Sequence, residues 1–304
     1  MRWRGNRQSS NMEDRRGMSG PALGGFGGGG GIIRLLPLIF RLLGWKGTIV
    51  AIIVFIGYGL YSGELSQMLG GGQFANGQTS QQQPVKQSAE EKEMVNFVSV
   101  VLADTEDTWQ VLFDNMGKRY EQPRLVLFRR SVKSGCGLGS AQMGPFYCPE
   151  DKKVYIDLSF FKDLQTSYGA SGDFAQAYVI AHEIGHHVQT ITGLSASVAK
   201  AKKGLSQVKA NQLSVRQELQ ADCYAGIWAH HANRSRQILE AGDVDEALTA
   251  ASAIGDDRLQ RQSQGHVTPD SFTHGSSQQR VKWFKVGLET GAIERCDTFS
   301  DNSL

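Results

Sequence analysis

Hydrophobic residues recur at helical spacing through most of the C-terminal two thirds of the chain. From Ser88 to about Met116 they fall three and four positions apart, and Ser88 and Glu91 have the spacing of a capping box. Further helical patterns follow at 173–193, 195–233 (with a break expected near Asn211), 244–254 and 276–290. The pattern therefore predicts a domain built mainly from helices.

Shorter stretches between the first two helical patterns are typical of β-strands. Apolar and polar residues alternate over 124–132. Two more candidate strands, 145–148 and 153–158, flank the turn-forming sequence Pro149-Glu150-Asp151 and predict a hairpin. Strands that precede the main helices indicate a helix-rich α+β domain with a small β-sheet.

An apolar segment at 47–63 stands apart from the amphipathic patterns. It contains 17 residues without a charge, and about 17 to 25 such residues can span a bilayer as a helix. Trp45, Tyr58 and Tyr61 lie where interfacial aromatic residues are expected. The alternatives are a buried core helix and a cleavable signal peptide. A signal peptide normally has a short basic start and a cleavage site, so an uncleaved signal anchor is favoured.

Charge is distributed unevenly on the two sides of this segment. The 304 residues include 32 Lys and Arg and 30 Asp and Glu, for a net charge of +2, which argues against a dedicated nucleic-acid binder. Residues 1–46 hold eight basic and two acidic residues, leaving 24 basic and 28 acidic residues in the remainder. The positive-inside rule then predicts a cytoplasmic N-terminus and a domain that is periplasmic or extracellular.

These features predict four parts of the chain. Residues 1–46 are polar, basic and glycine-rich, which is typical of disorder. Residues 47–63 form the predicted single-pass transmembrane anchor. Residues 64–90 are rich in Gln, Gly and Ser and are expected to be a flexible linker, and residues 91–304 form the predicted catalytic domain.

The chemistry is concentrated in the helical pattern at 173–193. His182 and His186 are four residues apart, so both imidazoles project from one helix face, as two ligands of a tetrahedral zinc ion require. Glu183 would lie beside the metal, where it can take a proton from zinc-bound water. On their own, two histidines at this spacing can also be polar residues on a solvated face.

A second, acidic motif follows in the next helical pattern, at Glu218-Leu219-Gln220-Ala221-Asp222, and begins 32 residues after His186. A catalytic zinc takes three protein ligands and keeps one open position, and Glu218 would supply the third ligand. Asp222, one turn further on, would accept a hydrogen bond from a ligand histidine. The alternative is an ordinary pair of solvent-facing carboxylates.

Other histidines and one arginine are considered for supporting roles. A peptidase stabilises the oxyanion with a donor, for which His274 is a candidate and Arg280 a weaker one. The equal alternative for His274 is a structural role, capping the following helix or packing against it. The remaining histidines near the motifs are assigned to structure: His187, His230 and His231, with the last two expected at the surface.

The four cysteines all follow the predicted anchor. The simplest of the three possible pairings joins Cys136 to Cys148 and Cys223 to Cys296. Disulfides require an oxidising compartment, which agrees with the predicted topology. No C-x₂-C spacing suggests a cysteine zinc site, and four free thiols are the alternative.

The chain resembles the gluzincin class of zinc metallopeptidases through HEIGH at 182–186 and ELQAD at 218–222. More narrowly, it is similar to the bacterial neutral zinc metallopeptidases of the YpfJ type. That similarity extends to the N-terminal MRWRGNRQSSNMEDRR, to 145–161 and to 272–288. The resemblance implies that His182, His186 and Glu218 bind zinc and that Glu183 is the general base. It implies a hydrolase without naming a substrate.

Together these features predict a membrane-anchored zinc endopeptidase with one catalytic Zn²⁺ ion. Glu183 would deprotonate the zinc-activated water that attacks a bond in a peptide or protein substrate. One N-terminal helix would contact the membrane, and no nucleic-acid partner is expected. The alternatives are a non-catalytic module stabilised by zinc and a zinc amidase acting on cell-wall components. Neither the substrate nor the oligomeric state follows from the sequence.

Overall fold

A computed structural model describes residues 1–18 and 87–300 of the protein. The described residues are rich in helix and carry two small sheets. The helices are α1 (Ala89–Asn115), α2 (Ser159–Thr166), α3 (Asp173–Ile191), α4 (Leu194–Lys202), α5 (Gln207–Arg236), α6 (Asp243–Ala253), α7 (Asp256–Gln264) and α8 (Ser277–Thr290).

Six short strands form the two sheets. They are β1 (Met12–Asp14), β2 (Arg124–Phe128), β3 (Ser131–Ser134), β4 (Gly137–Ser140), β5 (Phe146–Cys148) and β6 (Lys153–Asp157). The larger sheet has the order β1-β2-β6-β5, with β1, β2 and β6 parallel and β5 antiparallel to β6. Strands β3 and β4 form a separate antiparallel pair.

Helices α3 and α5 form the centre of the core. Most of α3 is buried, and so is the middle of α5 from Leu219 to Ala229. Trp228 of α5 stacks on Phe174 of α3 with ring centroids 5.7 Å apart. Burial of such large side chains is the main stabilising contribution to a domain core. The two helices that carry the predicted motifs are therefore held side by side.

Two close helix crossings depend on glycine. A Cβ atom on Gly185 of α3 would lie 2.9 Å from the carbonyl oxygen of Ala221 in α5. A Cβ atom on Gly287 of α8 would overlap the carbonyl oxygen of Cys223 in α5. Because glycine has no side chain, the backbones approach closely enough to bring all three helices around one site.

Both predicted disulfides are confirmed. Cys136 is bonded to Cys148, and Cys223 is bonded to Cys296. The second bond joins the middle of α5 to the segment that follows α8. It therefore ties the C-terminal part of the described chain to the helix that carries Glu218 and Asp222.

Most predicted elements are present, with differences at their ends. Ser88 caps α1 by accepting a hydrogen bond from the Glu91 amide, and the hairpin of β5 and β6 is confirmed. The long helical pattern breaks at 203–206, where Gly204 adopts a positive φ of 79°, and not near Asn211. Asn211 lies inside α5 and donates to the Asp270 carbonyl.

Residues 1–18 are ordered, which corrects the prediction that the whole of 1–46 is disordered. Strand β1 pairs in parallel with β2, and Trp3 is buried against Phe97 of α1 with ring centroids 5.4 Å apart. The α-amino group of Met1 lies 2.6 Å from the carboxylate of Asp173, the first residue of α3. This N-terminal arm, residues 1–18, is therefore part of the domain.

The predicted fold class also included a single transmembrane helix ahead of the domain, and that part is wrong. None of the helices in 1–18 and 87–300 is long and apolar enough to cross a membrane. The predicted anchor, 47–63, lies outside the described residues. Strand β1, which precedes that segment, and strand β2, which follows it, pair in one sheet.

Truncation of Trp3 tests whether the N-terminal arm contributes to stability. Trp3→Ala should lower the free energy of unfolding by about 3 kcal/mol, because it removes a buried aromatic side chain and leaves a cavity. Urea unfolding followed by circular dichroism measures the change. The control, Val111→Ala, shortens a side chain that is 58% exposed and should change stability by less than about 0.5 kcal/mol. Equal stability of Trp3→Ala and wild type would mean that the arm does not pack on the domain.

Candidate metal centre

Three side chains from α3 and α5 meet with their donor atoms close together. The Nε2 atoms of His182 and His186 are 3.2 Å apart. The Glu218 Oε2 atom lies 3.2 Å from the first and 3.4 Å from the second. Tetrahedral zinc with ligand bonds of about 2.0–2.1 Å requires ligand atoms about 3.3 Å apart. The three predicted ligands therefore fit zinc, since their spacing matches three corners of such a tetrahedron.

Asp222 contacts the first of the three predicted ligands, His182. Its Oδ1 atom lies 2.8 Å from Nδ1 of His182 and 2.5 Å from the hydroxyl of Tyr178. Nε and Nη2 of Arg280 each donate to Asp222 at 2.9 Å. When the Nδ1–H of His182 donates to Asp222, its Nε2 lone pair is left for a metal.

The charge of Asp222 is maintained in a fully buried position. Burial raises the pKa of this carboxyl, but the positive charge of Arg280 and the contact with His182 outweigh burial and bring it to about 2. Removing one member of a buried charged pair leaves the other unpaired, at a cost of about 3–5 kcal/mol. Arg280 is the weaker sequence candidate for oxyanion stabilisation, and the structure instead bonds it to Asp222.

Gln189 supports the second histidine and was missed by sequence reasoning. Its Oε1 atom lies 2.9 Å from Nδ1 of His186, and its amide nitrogen donates to the Gln217 carbonyl at 2.7 Å. Gln189 is three residues after His186 on the same helix, and this spacing was the available signal. With both ring orientations fixed, the two Nε2 atoms point to one place.

Glu183 lies in the cleft beside these ligands. Its side chain is buried, yet no described residue forms a hydrogen bond with its carboxylate. Burial raises the pKa of Glu183, whereas the neighbouring histidines His182 and His186 lower it. A carboxylate with a raised pKa that faces a cleft is suited to accept and release a proton.

His274 lines the same cleft and forms a pair with Asp256, which sequence reasoning missed. Its Nδ1 atom is 3.2 Å from Asp256 Oδ1, and half of the side chain (52%) is exposed. Asp256 also accepts from the backbone amides of Thr273, His274 and Gly275. The hydrogen bond to Asp256 raises the pKa of His274, although burial opposes it. The following helix is capped by Ser276, so His274 does not serve as its cap.

The other histidines near the motifs form structural contacts. Buried His187 lies 3.1 Å from the Tyr147 hydroxyl and 2.5 Å from the Glu121 carbonyl oxygen, and burial lowers its pKa to about 4. His230 and His231, predicted at the surface, are half-buried and contact carbonyl groups at the end of α8 and just beyond it.

The cleft around these residues has a volume of about 680 Å³ and extends along α3 on both sides of Glu183. Within the described ranges, a second set of acidic side chains also lies close enough to hold a metal: Asp173, Asp243 and Glu246. Two of its carboxylates are bonded to the α-amino group of Met1, so a cation already occupies that position.

Comparisons with known proteins find relatives that match most of the chain. "Uncharacterized protein YpfJ" of Escherichia coli (strain K12) is 50% identical over 301 residues, covering 98% of this chain and 99% of that protein. "Uncharacterized protein Rv2575" of Mycobacterium tuberculosis (strain H37Rv) is 43% identical over 218 residues, covering 68% and 73%. No solved structure gives a significant match. The family described as "Putative neutral zinc metallopeptidase" matches residues 1–299, and the chain belongs to this family.

Proposed function

We propose that the protein is a zinc-dependent endopeptidase in which Glu183 is the general base. The observation that carries the proposal is the set of three donor atoms at tetrahedral spacing, from His182, His186 and Glu218, beside a carboxylate that faces the cleft. Zinc held there would polarise the peptide carbonyl and lower the pKa of water toward 7. Membership of the metallopeptidase family supports the hydrolase class and the metal.

Glu183 would move the proton that hydrolysis requires. Its carboxylate accepts a proton from the attacking water and then gives it to the departing amine. Burial raises the pKa of Glu183, which favours transfer of a proton from water to this carboxylate. No described side chain forms a hydrogen bond with the Glu183 carboxylate, so its oxygens are available to the water.

His274 would act on the opposite side of the substrate carbonyl. The Asp256 carboxylate raises the pKa of His274 and so favours its protonated, donating form, and the half-exposed ring lines the cleft. A positioned cationic donor stabilises the negative charge that develops on the carbonyl oxygen. Arg280 would act indirectly, by holding Asp222 and through it His182.

The extent of the cleft supports cleavage at internal peptide bonds of a substrate. Tyr178 and Val179 line it one turn before the ligands, and Thr190 lines it one turn after His186. A substrate can therefore continue past Glu183 in both directions. A purely structural zinc site is normally closed by four protein ligands, whereas the candidate set in the described residues has three.

The disulfides support action outside the reducing cytoplasm. Cys136–Cys148 and Cys223–Cys296 together use all four cysteines of the chain. Structural disulfides persist in oxidising compartments and are rare in the cytosol. We therefore infer a periplasmic or extracellular location for the domain.

Thiol titration tests the inferred location. Protein isolated from its native cells with a blocking reagent and no reductant, then denatured in urea, should contain no blocked or free cysteine, because both pairs are oxidised where the protein resides. Mass spectrometry counts the blocked thiols. Four reactive thiols per chain would contradict the inferred location.

Glu183→Gln tests the proposed general base. The change removes the proton acceptor and keeps the shape, so cleavage should fall by about 10²–10⁴-fold. Hydrolysis of a mixed peptide digest by the zinc-loaded full chain, followed by mass spectrometry, measures this loss. Glu289→Gln, near the C-terminal end of α8, is the control and should retain full activity. Undiminished turnover of Glu183→Gln would contradict the proposal.

Asp256→Asn tests the His274 pair through the pH dependence of the rate. His274 has a raised pKa, so its cationic form persists to higher pH than that of an ordinary histidine. Removing the Asp256 charge lowers that pKa, so the alkaline limb of kcat should move to lower pH. Asp257→Asn, which alters a carboxylate bonded to Ser277, should leave the limb in place. An unchanged profile in Asp256→Asn would exclude a cationic role for His274.

A further inference from the structure

The two ends of the cleft differ in chemistry. Near Tyr178 the lining is mainly aromatic and aliphatic, with Phe160, Tyr168, Ile254 and Leu259, and the lining also includes Asp163. The Phe160 and Tyr168 rings are 6.3 Å apart. Arg280 links two residues of this end, because it donates hydrogen bonds to the Tyr178 hydroxyl and to the Ile254 carbonyl. This end is suited to a large apolar side chain.

The opposite end, beyond His186, is polar and includes a lysine. Thr190 and Gln217 both contact the Ser195 hydroxyl, at 3.1 and 3.3 Å. Lys202 lines the cleft there, and its ammonium group donates to the Ser214 hydroxyl at 2.8 Å. Ser214 precedes Glu218 by one turn of α5. The ammonium group is therefore placed about one helical turn from the metal ligands.

Lys202 has a hydroxyl partner but no carboxylate within ion-pair distance among the described residues. It is half-buried, and burial lowers the pKa of its ammonium group, an effect that Glu218 opposes. A partly desolvated cation gains more from an anionic ligand than a fully solvated one does. The next residue, Lys203, is exposed and does not line the cleft.

We propose that the cleft selects peptides with a carboxylate that pairs with Lys202 and a large apolar side chain at the other end. This selectivity rests on the proposed peptidase function. Val179 and Thr190 are eleven residues apart on α3, so the cleft runs for about 16 Å, the length of about five extended residues. The peptide carboxylate that pairs with Lys202 would then lie about two residues from the cleaved bond. A side chain of Asp or Glu and a C-terminal carboxylate offer the same chemistry.

Peptide binding to zinc-loaded full-length Glu183→Gln tests this pairing without catalysis. The probes are fluorescein-labelled octapeptide mixtures with one fixed Phe. They end in an amide, in an amide with Glu fixed about four residues before or after Phe, or in a free carboxylate about four residues after Phe. Fluorescence anisotropy should show about tenfold tighter binding of at least one carboxylate probe than of the neutral amide, as expected for a charge-assisted hydrogen bond. The probe that gains identifies the source of the carboxylate.

Variants at the two adjacent lysines test whether Lys202 causes the tighter binding of carboxylate probes. Lys202→Met should abolish this preference, and Lys202→Arg should retain it. The matched control Lys203→Met should leave the preference unchanged. Equal binding of all probes, or a preference that survives Lys202→Met, would overturn the proposal.

Cleavage of peptide digests by protein with Glu183 intact separates this proposal from the proposed function. Glu183-dependent cleavage without any preference for a nearby carboxylate would overturn the selectivity and leave the peptidase function standing. Lys202-dependent binding without cleavage would overturn the peptidase function and retain the carboxylate site.

Discussion

The buried carboxylate of Asp222 is the interaction on which the rest of the site depends. It accepts hydrogen bonds from His182, Tyr178 and Arg280, and so it joins α3, α5 and α8 at one point. It also leaves Nε2 of His182 facing His186 and Glu218. Without this charge, Arg280 would be a buried cation that has lost its carboxylate partner.

Backbone packing makes this arrangement possible. Gly185 lets α3 approach α5, and Gly287 lets α8 approach α5, so three helices can supply side chains to one small volume. The Cys223–Cys296 bond holds the segment after α8 against the same helix. His274, held by Asp256, then adds a hydrogen-bond donor to the lining of the cleft that Glu183 faces.

Local signals in the sequence predicted much of this site, and long-range contacts were harder to predict. The spacing of His182 and His186 follows from helix geometry, which is why their closeness could be predicted. Asp256 was missed because its partner, His274, is 18 residues away and joined by no periodic pattern. Strand β1 was missed because it has three residues, and its partner β2 begins about 110 residues later. The transmembrane prediction had a different basis, the uncharged apolar run at 47–63, which lies outside the described residues.

A zinc-edge anomalous diffraction map of crystals soaked in Zn²⁺ tests the central claim most directly. The account predicts one peak about 2.0–2.2 Å from Nε2 of His182, Nε2 of His186 and an oxygen of Glu218, with a solvent oxygen as the fourth ligand. A peak at another cluster, or a protein side chain in the fourth position, would contradict it.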